Sequence, residues 1–290
     1  MVIGNYFKNI NSKFKNHLFS GLSFNSSYCK KNYIFFAIKG TKLNGNKFID
    51  QAIRKGARTI ISDKYHGFKN DVLFIKSLNV RKTLAEVVHK IYKKKPKNLI
   101  AVTGTNGKSS IVNFYLQILK FNKKKVASIG TLGINTTFKK TDSINTTLDP
   151  LKLSKFLSKL KDQKIENVIL EASSHGLKQH RLDGIKFKIA IFTNLSRDHL
   201  DYHKTYKDYL NSKLILFNNL MKKKSKVIYD KEIYEANRLK NISIKKNFKK
   251  INIGNKNSNL NILENKILKN CQIIKFNYKN NNYSIKTKLI

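Results

Sequence analysis

The sequence predicts an α/β protein: a small N-terminal α/β domain, then a larger domain built on a mainly parallel sheet. Three observations carry that prediction. Short apolar runs of strand length alternate with stretches whose apolar residues recur at helical spacing. A charged run, Lys93-Lys94-Lys95-Pro96-Lys97, separates two such series and holds one of the two prolines of the chain. A glycine-containing loop stands directly between a strand and a helix of the second series. The expected domains are residues 1–95 and 96–290.

In the first series, Tyr33 to Ile38 reads as a buried strand, and Phe48, Ile49, Ala52 and Ile53 fall on one helical face. Thr59-Ile60-Ile61 and Val72 to Ile75 are further strands, and Val80, Leu84, Val87, Val88 and Ile91 mark an amphipathic helix. The second series opens with a strand at Leu99 to Val102 and a helix carrying Ile111, Val112, Tyr115, Leu116 and Leu119. Val126 to Ile129 is a strand, Leu153 to Leu160 a helix, and Val168 to Leu170 and Ile189 to Phe192 are strands. Tyr206, Tyr209, Leu210, Lys213, Leu214 and Phe217 share one helix, followed by a strand at Val227 to Tyr229. Strand–helix alternation of this kind favours parallel pairing with helices on the sheet faces. Beyond about residue 230 the chain is rich in Lys and Asn, with short β-like runs at Cys271 to Ile274 and Tyr283 to Ile285.

Composition excludes several classes. No apolar run approaches the roughly 18 residues of a membrane span. Met1 to Phe19 is basic but has no apolar signal core. Cys29 and Cys271 stand alone, which excludes a disulfide scaffold or a Cys-rich zinc module and fits a reducing cytoplasm. Lys+Arg is 59 against Asp+Glu 17, a formal charge of +42. The excess is nearly all lysine, spread along the chain and accompanied by abundant Asn and Ile, which share A/T-rich codons. Mutational bias therefore accounts for it better than specific nucleic-acid recognition, although a polyanionic small ligand benefits from the charge.

Thr103-Gly104-Thr105-Asn106-Gly107-Lys108-Ser109-Ser110 lies where a phosphate cradle belongs. Glycines let backbone N–H groups turn inward, and a helix N-terminus favours an anion. Lys108 has the reach for β- and γ-phosphates, and Ser109 offers the hydroxyl that commonly holds Mg²⁺. The general phosphate-loop pattern has glycine six positions before the lysine, where this chain has Val102.

Residues 103–109 resemble the ATP loop of the Mur ligase family, whose members build the stem peptide of peptidoglycan. Glu171-Ala172-Ser173-Ser174-His175-Gly176-Leu177, continuing to Arg181, and Phe192 through His203 resemble blocks of its MurE-type branch, which adds the third stem residue. Asn145-Thr146-Thr147 is similar to a substrate-binding segment of that branch, and residues 34–45 and 48–62 to its uridine-binding domain. These matches cover most of residues 22–229.

The resemblance implies a uridine-binding-type N-terminal domain and an incomplete, P-loop ATPase-like central domain. It implies a ligase that uses ATP and Mg²⁺ to phosphorylate a carboxylate of UDP-N-acetylmuramoyl-L-alanyl-D-glutamate, whose acyl phosphate an amine of meso-diaminopimelate or L-lysine then attacks. Gly104, Thr105, Asn106, Gly107, Lys108, Ser109 and Ser110 would hold ATP. Ser109, Glu171, His199 and Lys213 would serve the metal, with Lys213 carbamylated, and Lys108, Glu171, His199 and Lys213 would form the catalytic set. Ser26, Thr41, Lys42, Leu43, Asn145, Thr146, Thr147, Ser173, Gln179 and Arg181 would contact the nucleotide peptide. A C-terminal domain that reads the incoming amino acid is expected to be absent from these residues and to be a possible separate partner. Two other readings stay open here: a non-catalytic nucleotide-binding remnant, and another ligase of the superfamily such as a folylpolyglutamate synthase.

Overall fold

The structure, a computed structural model, describes residues 1–7, 10–40, 43–142 and 146–288. Thr41, Lys42 and Asn145 lie outside the described residues. Two compact bodies are present. One comprises Met1–Lys93 with Asp149–Lys155 and Gln179–Gly184; the other comprises Lys94–Leu148, Phe156–Lys178 and the chain from Ile185 onward.

The first body is a five-stranded sheet of β1 (Gly21–Ser23), β2 (Tyr33–Phe36), β3 (Ala57–Ser62), β4 (Gly67–Lys69) and β5 (Val72–Lys76), in the order β1-β2-β3-β5-β4. All pairs are parallel except β4 with β5. That hairpin turns through Asn70 and Asp71, both at positive φ (48° and 58°), the backbone a tight two-residue turn demands. Period-two alternation divides β2 between two cores. Ile34 and Phe36 pack with Leu84, Val87 and Val88 of α2 (Val80–Ile91), whereas Phe35 and Ala37 pack with Ile49 and Ala52 of α1 (Ile49–Arg54). Burial on both faces is why these strands read as continuous apolar runs. Helix α2 begins at Asn79, whose Oδ1 accepts the Lys82 N–H at 3.0 Å.

The second body is an eleven-stranded sheet. Its elements are β6 (Asn98–Thr103), α3 (Lys108–Phe121), β7 (Val126–Gly130), β8 (Gly133–Thr136), β9 (Lys140–Thr141), α4 (Pro150–Asp162, of which the residues from Phe156 belong to this body), β10 (Asn167–Glu171), α5 (Ser174–Lys178), β11 (Phe187–Phe192), α6 (Leu200–His203), α7 (Tyr206–Asn219), β12 (Met221–Asp230), α8 (Ala236–Lys245), β13 (Lys249–Gly254), β14 (Leu260–Leu268), β15 (Cys271–Tyr278) and β16 (Asn281–Thr287). Strand order is β16-β15-β14-β13-β12-β11-β6-β10-β7-β8-β9. From β7 to β14 every pairing is parallel, and both ends are finished by antiparallel strands.

This order decides where a ligand goes. From β6 the chain crosses to β7, returns to β10, and then passes over to β11 on the other side of β6. Connections leaving the C-terminal ends of β6 and β11 therefore diverge, opening a crevice at the strand ends. Thr103, Glu171 and Phe192 are the last residues of the three strands β6, β10 and β11.

Candidate active site

The loop from Thr103 to Gly107 is fixed by the segment after β11. Thr193 N–H donates to Thr103 O (2.9 Å), Thr105 N–H to Asn194 O (2.9 Å), and Asn106 N–H to Asn194 Oδ1 (2.9 Å). Thr193 Oγ1 donates to Asn106 O at 2.7 Å, and Ser196 N–H to Thr105 Oγ1 at 3.0 Å. Gly104 sits at φ +146°, and a Cβ there would lie 1.8 Å from Thr193 Oγ1. Glycine is needed at this position both for its backbone angle and for the approach of the neighbouring loop. Gly107, at φ +78°, caps α3 in the left-handed region. The first-turn N–H groups of α3, those of Lys108, Ser109 and Ser110, have no intrahelical acceptor and face an anion by default.

Lys108 folds back over its own loop, donating to Gly104 O (3.0 Å) and Thr105 O (2.6 Å). Burial lowers its pKa, opposed by the charges of Glu171 and Asp198. At the end of β10, Glu171 is 1% exposed. Its Oε1 accepts from Ser109 Oγ (2.9 Å) and Thr131 N–H (2.8 Å), and its Oε2 from Thr131 Oγ1 (3.2 Å). Gly130 makes room for this carboxylate, since a Cβ there would stand 2.2 Å from Oε1.

Lys213, on α7, is 1% exposed, and its Nζ donates to Gly104 O at 2.6 Å. The ammonium also lies 4.3 Å from the centre of the Tyr209 ring. Burial, then the nearby charge of Lys108, pushes its pKa down to about 7. His199 begins α6 at φ +53°, with its side chain largely exposed and paired with Asp198 at 3.4 Å. Its ring lies 6.1 Å from that of Tyr209 and 5.1 Å from that of His175. The structure thus joins Lys108, Lys213, Ser109 and Glu171 around one loop, while His199 reaches that loop's surroundings through Tyr209, whose hydroxyl lies 3.2 Å from Thr105 Oγ1.

Among the described residues no three His, Cys, Asp or Glu side chains are grouped to hold a metal. The donor pair Ser109–Glu171 nevertheless suits Mg²⁺, a hard cation normally bound by one or two protein oxygens together with phosphates and water.

The expected substrate residues fall into two sets, one in each body. In the second body, Thr147 Oγ1 donates to Glu171 O (3.0 Å) and contacts Ser173 Oγ (3.0 Å), and Thr146 Oγ1 lies 3.2 Å from Thr131 Oγ1. Gly176 closes over Thr147 so tightly that a Cβ there would stand 2.7 Å from the threonine. In the first body, Gln179 Oε1 accepts from Arg181 Nε (3.1 Å) and Nη2 (2.8 Å). Ser26 is buried and donates to Gln51 Oε1 at 2.6 Å, and Leu43 is exposed.

Sequence reasoning missed His203. It is fully buried, with Nε2 2.9 Å from Ser174 Oγ and Nδ1 3.3 Å from Ser212 Oγ, and so pins α5 to α7 one residue before Lys213. Burial, reinforced by the charges of Lys178 and His175 against that of Asp208, pushes its pKa from 6.5 down to about 4. The unfolded chain takes up a proton near pH 6.5 that the folded protein refuses until about pH 4, so stability falls as pH drops through that window. The expected loss is on the order of 2–3 kcal/mol. Denaturant titrations across the window check it: His203→Gln should flatten the decline, and an unchanged slope would rule His203 out as its source.

An open parallel sheet with a glycine loop after its central strand, a lysine over that loop and a buried carboxylate at the next strand end defines a nucleotide-binding α/β protein of the phosphate-loop class. The chain belongs to the Mur ligase family: the model described as Mur ligase middle domain matches residues 102–290, and that described as Mur ligase family, catalytic domain matches residues 18–101. It is 42% identical over 288 residues to the UDP-N-acetylmuramoyl-L-alanyl-D-glutamate--2,6-diaminopimelate ligase of Rickettsia montanensis, covering 97% of this chain and 59% of that one. Identity to the same-named ligase of Rickettsia conorii is 43% over 289 residues, with the same coverage of 97% and 59%. A solved structure of a ligase of that name superposes with a TM-score of 0.86 at 26% identity, covering 100% of this chain and 60% of that one. The chain therefore spans about 59% of the length of the curated relatives it matches. No helix among the described residues is long and apolar enough to cross a membrane.

Proposed function

We propose that these residues form the ATP- and nucleotide-binding part of a ligase that adds meso-diaminopimelate to UDP-N-acetylmuramoyl-L-alanyl-D-glutamate in the cytoplasm. The names of the similar proteins favour diaminopimelate over L-lysine as the amine. The carrying observation is the contact of Ser109 with the buried Glu171 carboxylate at 2.9 Å, at the foot of the Lys108 loop. We keep 1–95 and 96–290 as the proposed domains, and the dispersed basic charge as compositional bias with no specific nucleic-acid partner.

In this reading the loop amides from Gly104 to Ser110 hold the phosphates of ATP. Lys108 leaves its carbonyl partners to meet the β- and γ-phosphates. Ser109 and Glu171, with His199 and a carbamylated Lys213 nearby, hold Mg²⁺, which when bound neutralises charge on the transferring phosphoryl group. A carboxylate of the nucleotide peptide attacks the γ-phosphorus and expels ADP. The amine then attacks the acyl phosphate, and inorganic phosphate leaves. Asn145, Thr146, Thr147, Ser173, Gln179 and Arg181 orient the peptide end. Ser26, Thr41, Lys42 and Leu43 serve the uridine end. Calorimetry with MgATP and with the nucleotide peptide tests this reading, and failure of both to bind would overturn it.

Carbamylation of Lys213 rests on its burial and on a pKa of about 7, which leaves much of the amine neutral near neutral pH. A neutral amine adds CO₂ to give a carbamate and one released proton, converting a neutral side chain into an anionic metal ligand. The expected result is a carbamate resonance in ¹³C NMR with ¹³C-bicarbonate, lost in Lys213→Ala. Identical spectra for the two proteins would refute the modification.

A further inference from the structure

Between Gln179 and Arg181 stands His180, to which the reading above gives no task. Its backbone is in the left-handed region, φ +57°, where few side chains other than Asn, Asp and His settle readily. Both ring nitrogens are engaged. Nε2 faces Asn79 Nδ2 at 2.9 Å, and Nδ1 faces Asp183 Oδ2 at 3.0 Å. The amide orientation of Asn79 is not free, because its Oδ1 caps α2 by accepting the Lys82 N–H. Nδ2 must therefore be the atom turned toward the imidazole, so Nε2 accepts and Nδ1 carries the proton given to Asp183.

The partners of His180 are themselves anchored. Asn79 is tied to the first turn of α2, and Leu182 and Asp183 are buried. The second oxygen of Asp183, Oδ1, is buried with no hydrogen-bond partner among the described residues. The imidazole N–H thus offsets much of the cost of burying that carboxylate. On either side of this fixed ring, Gln179 Oε1 accepts two hydrogens of the Arg181 guanidinium. The segment is a short turn whose outer members form a pair while its middle member is clamped.

We propose that His180 is a positioning residue for substrate recognition: clamped between Asn79 and Asp183, it holds the turn that aims the Gln179–Arg181 pair at the anionic nucleotide peptide. The proposal rests on the reading that Arg181 contacts that substrate. His180 itself acts through its neighbours.

The test measures affinity for UDP-N-acetylmuramoyl-L-alanyl-D-glutamate and for MgATP by calorimetry in the wild type, His180→Ala, His180→Asn, Asn79→Ser and Arg181→Ala. His180→Ala is expected to weaken the nucleotide peptide about tenfold, the scale of one lost hydrogen bond, with MgATP affinity unchanged. His180→Asn should recover most of the loss, because its amide keeps a donor for Asp183 and tolerates the left-handed backbone. Asn79→Ser keeps a cap for α2 but lacks the donor to the ring, and should show a smaller loss; it carries the test if His180→Ala does not fold. Undiminished substrate affinity in His180→Ala and Asn79→Ser, beside a clear loss in Arg181→Ala, overturns the proposal. An equal fall in MgATP affinity reduces His180 to a structural part and overturns it too. Undiminished affinity in Arg181→Ala instead overturns the underlying reading of Arg181. In ¹⁵N NMR the His180 ring should be protonated at Nδ1 and bare at Nε2, and the opposite tautomer contradicts the clamp.

Discussion

Lys108→Ala should bind MgATP at least about a hundredfold more weakly than the wild type while folding as well or better, since hydrogen bonds from a charged group are worth about 1.5–3 kcal/mol each. Two opposing effects meet at this side chain. Burial lowers the pKa of the ammonium, a sign that the folded protein tolerates the charge at a cost. Hydrogen bonds to Gly104 O and Thr105 O recover part of it. Alanine removes both the cost and the bonds, and the loop keeps its other ties to Thr193 and Asn194. Stability is thus expected to change little, whereas a bound triphosphate loses the protein cation that reaches its β- and γ-phosphates. Thermal melts beside calorimetry separate the two effects. Equal MgATP affinity in variant and wild type would remove Lys108 from the phosphate site.

Glu171→Gln should abolish the Mg²⁺ dependence of ATP binding while changing stability little. The carboxylate accepts three hydrogen bonds, from Ser109 Oγ, Thr131 N–H and Thr131 Oγ1. Glutamine has the same shape: its amide oxygen can accept from Ser109 Oγ and Thr131 N–H in place of Oε1, and its NH₂ can donate to Thr131 Oγ1, a hydroxyl that also accepts. A neutral amide oxygen is a much weaker ligand than an anionic carboxylate oxygen for a small hard dication. The measurement is ATP affinity with excess Mg²⁺ and with chelator: the two values should differ strongly in the wild type and converge in the variant. A variant that still gains affinity from Mg²⁺ would show the metal to be held elsewhere.

Much of the architecture was legible because the relevant forces are local. Strands buried on both faces, such as Ile100 to Val102 and Val168 to Leu170, read as continuous apolar runs, and α2 and α7 show their apolar faces at helical spacing. Short edge elements were not legible. β1 and β4 span three residues each, and the β8–β9 hairpin pairs few residues, so no pattern accumulates within them. The helix expected around Phe48 begins as a 3₁₀ turn, Gly45–Phe48, before α1 takes over at Ile49. Toward the C-terminus, the β-like runs at Cys271 to Ile274 and Tyr283 to Ile285 fall within β15 and β16, whereas abundant Lys and Asn masked the alternation of β14, which is only partly buried.

What the sequence by itself determined is the family, the glycine loop between β6 and α3, and the strand-end position of Glu171. These depend on residue type and on neighbours along the chain: a glycine for a positive φ, a lysine one position into a helix, a carboxylate where an apolar run stops. Only the tertiary structure decided which distant residues complete them. Gly130 and Thr131 accommodate Glu171 because β7 lies beside β10. Thr193 and Asn194 hold the loop because β11 lies beside β6. Lys213, one lysine among many in the sequence, is distinguished by burial against Gly104 O, and His203 by bridging two helices. Each of these contacts joins residues far apart in sequence, and strand order, which composition and periodicity do not encode, is what brings them together.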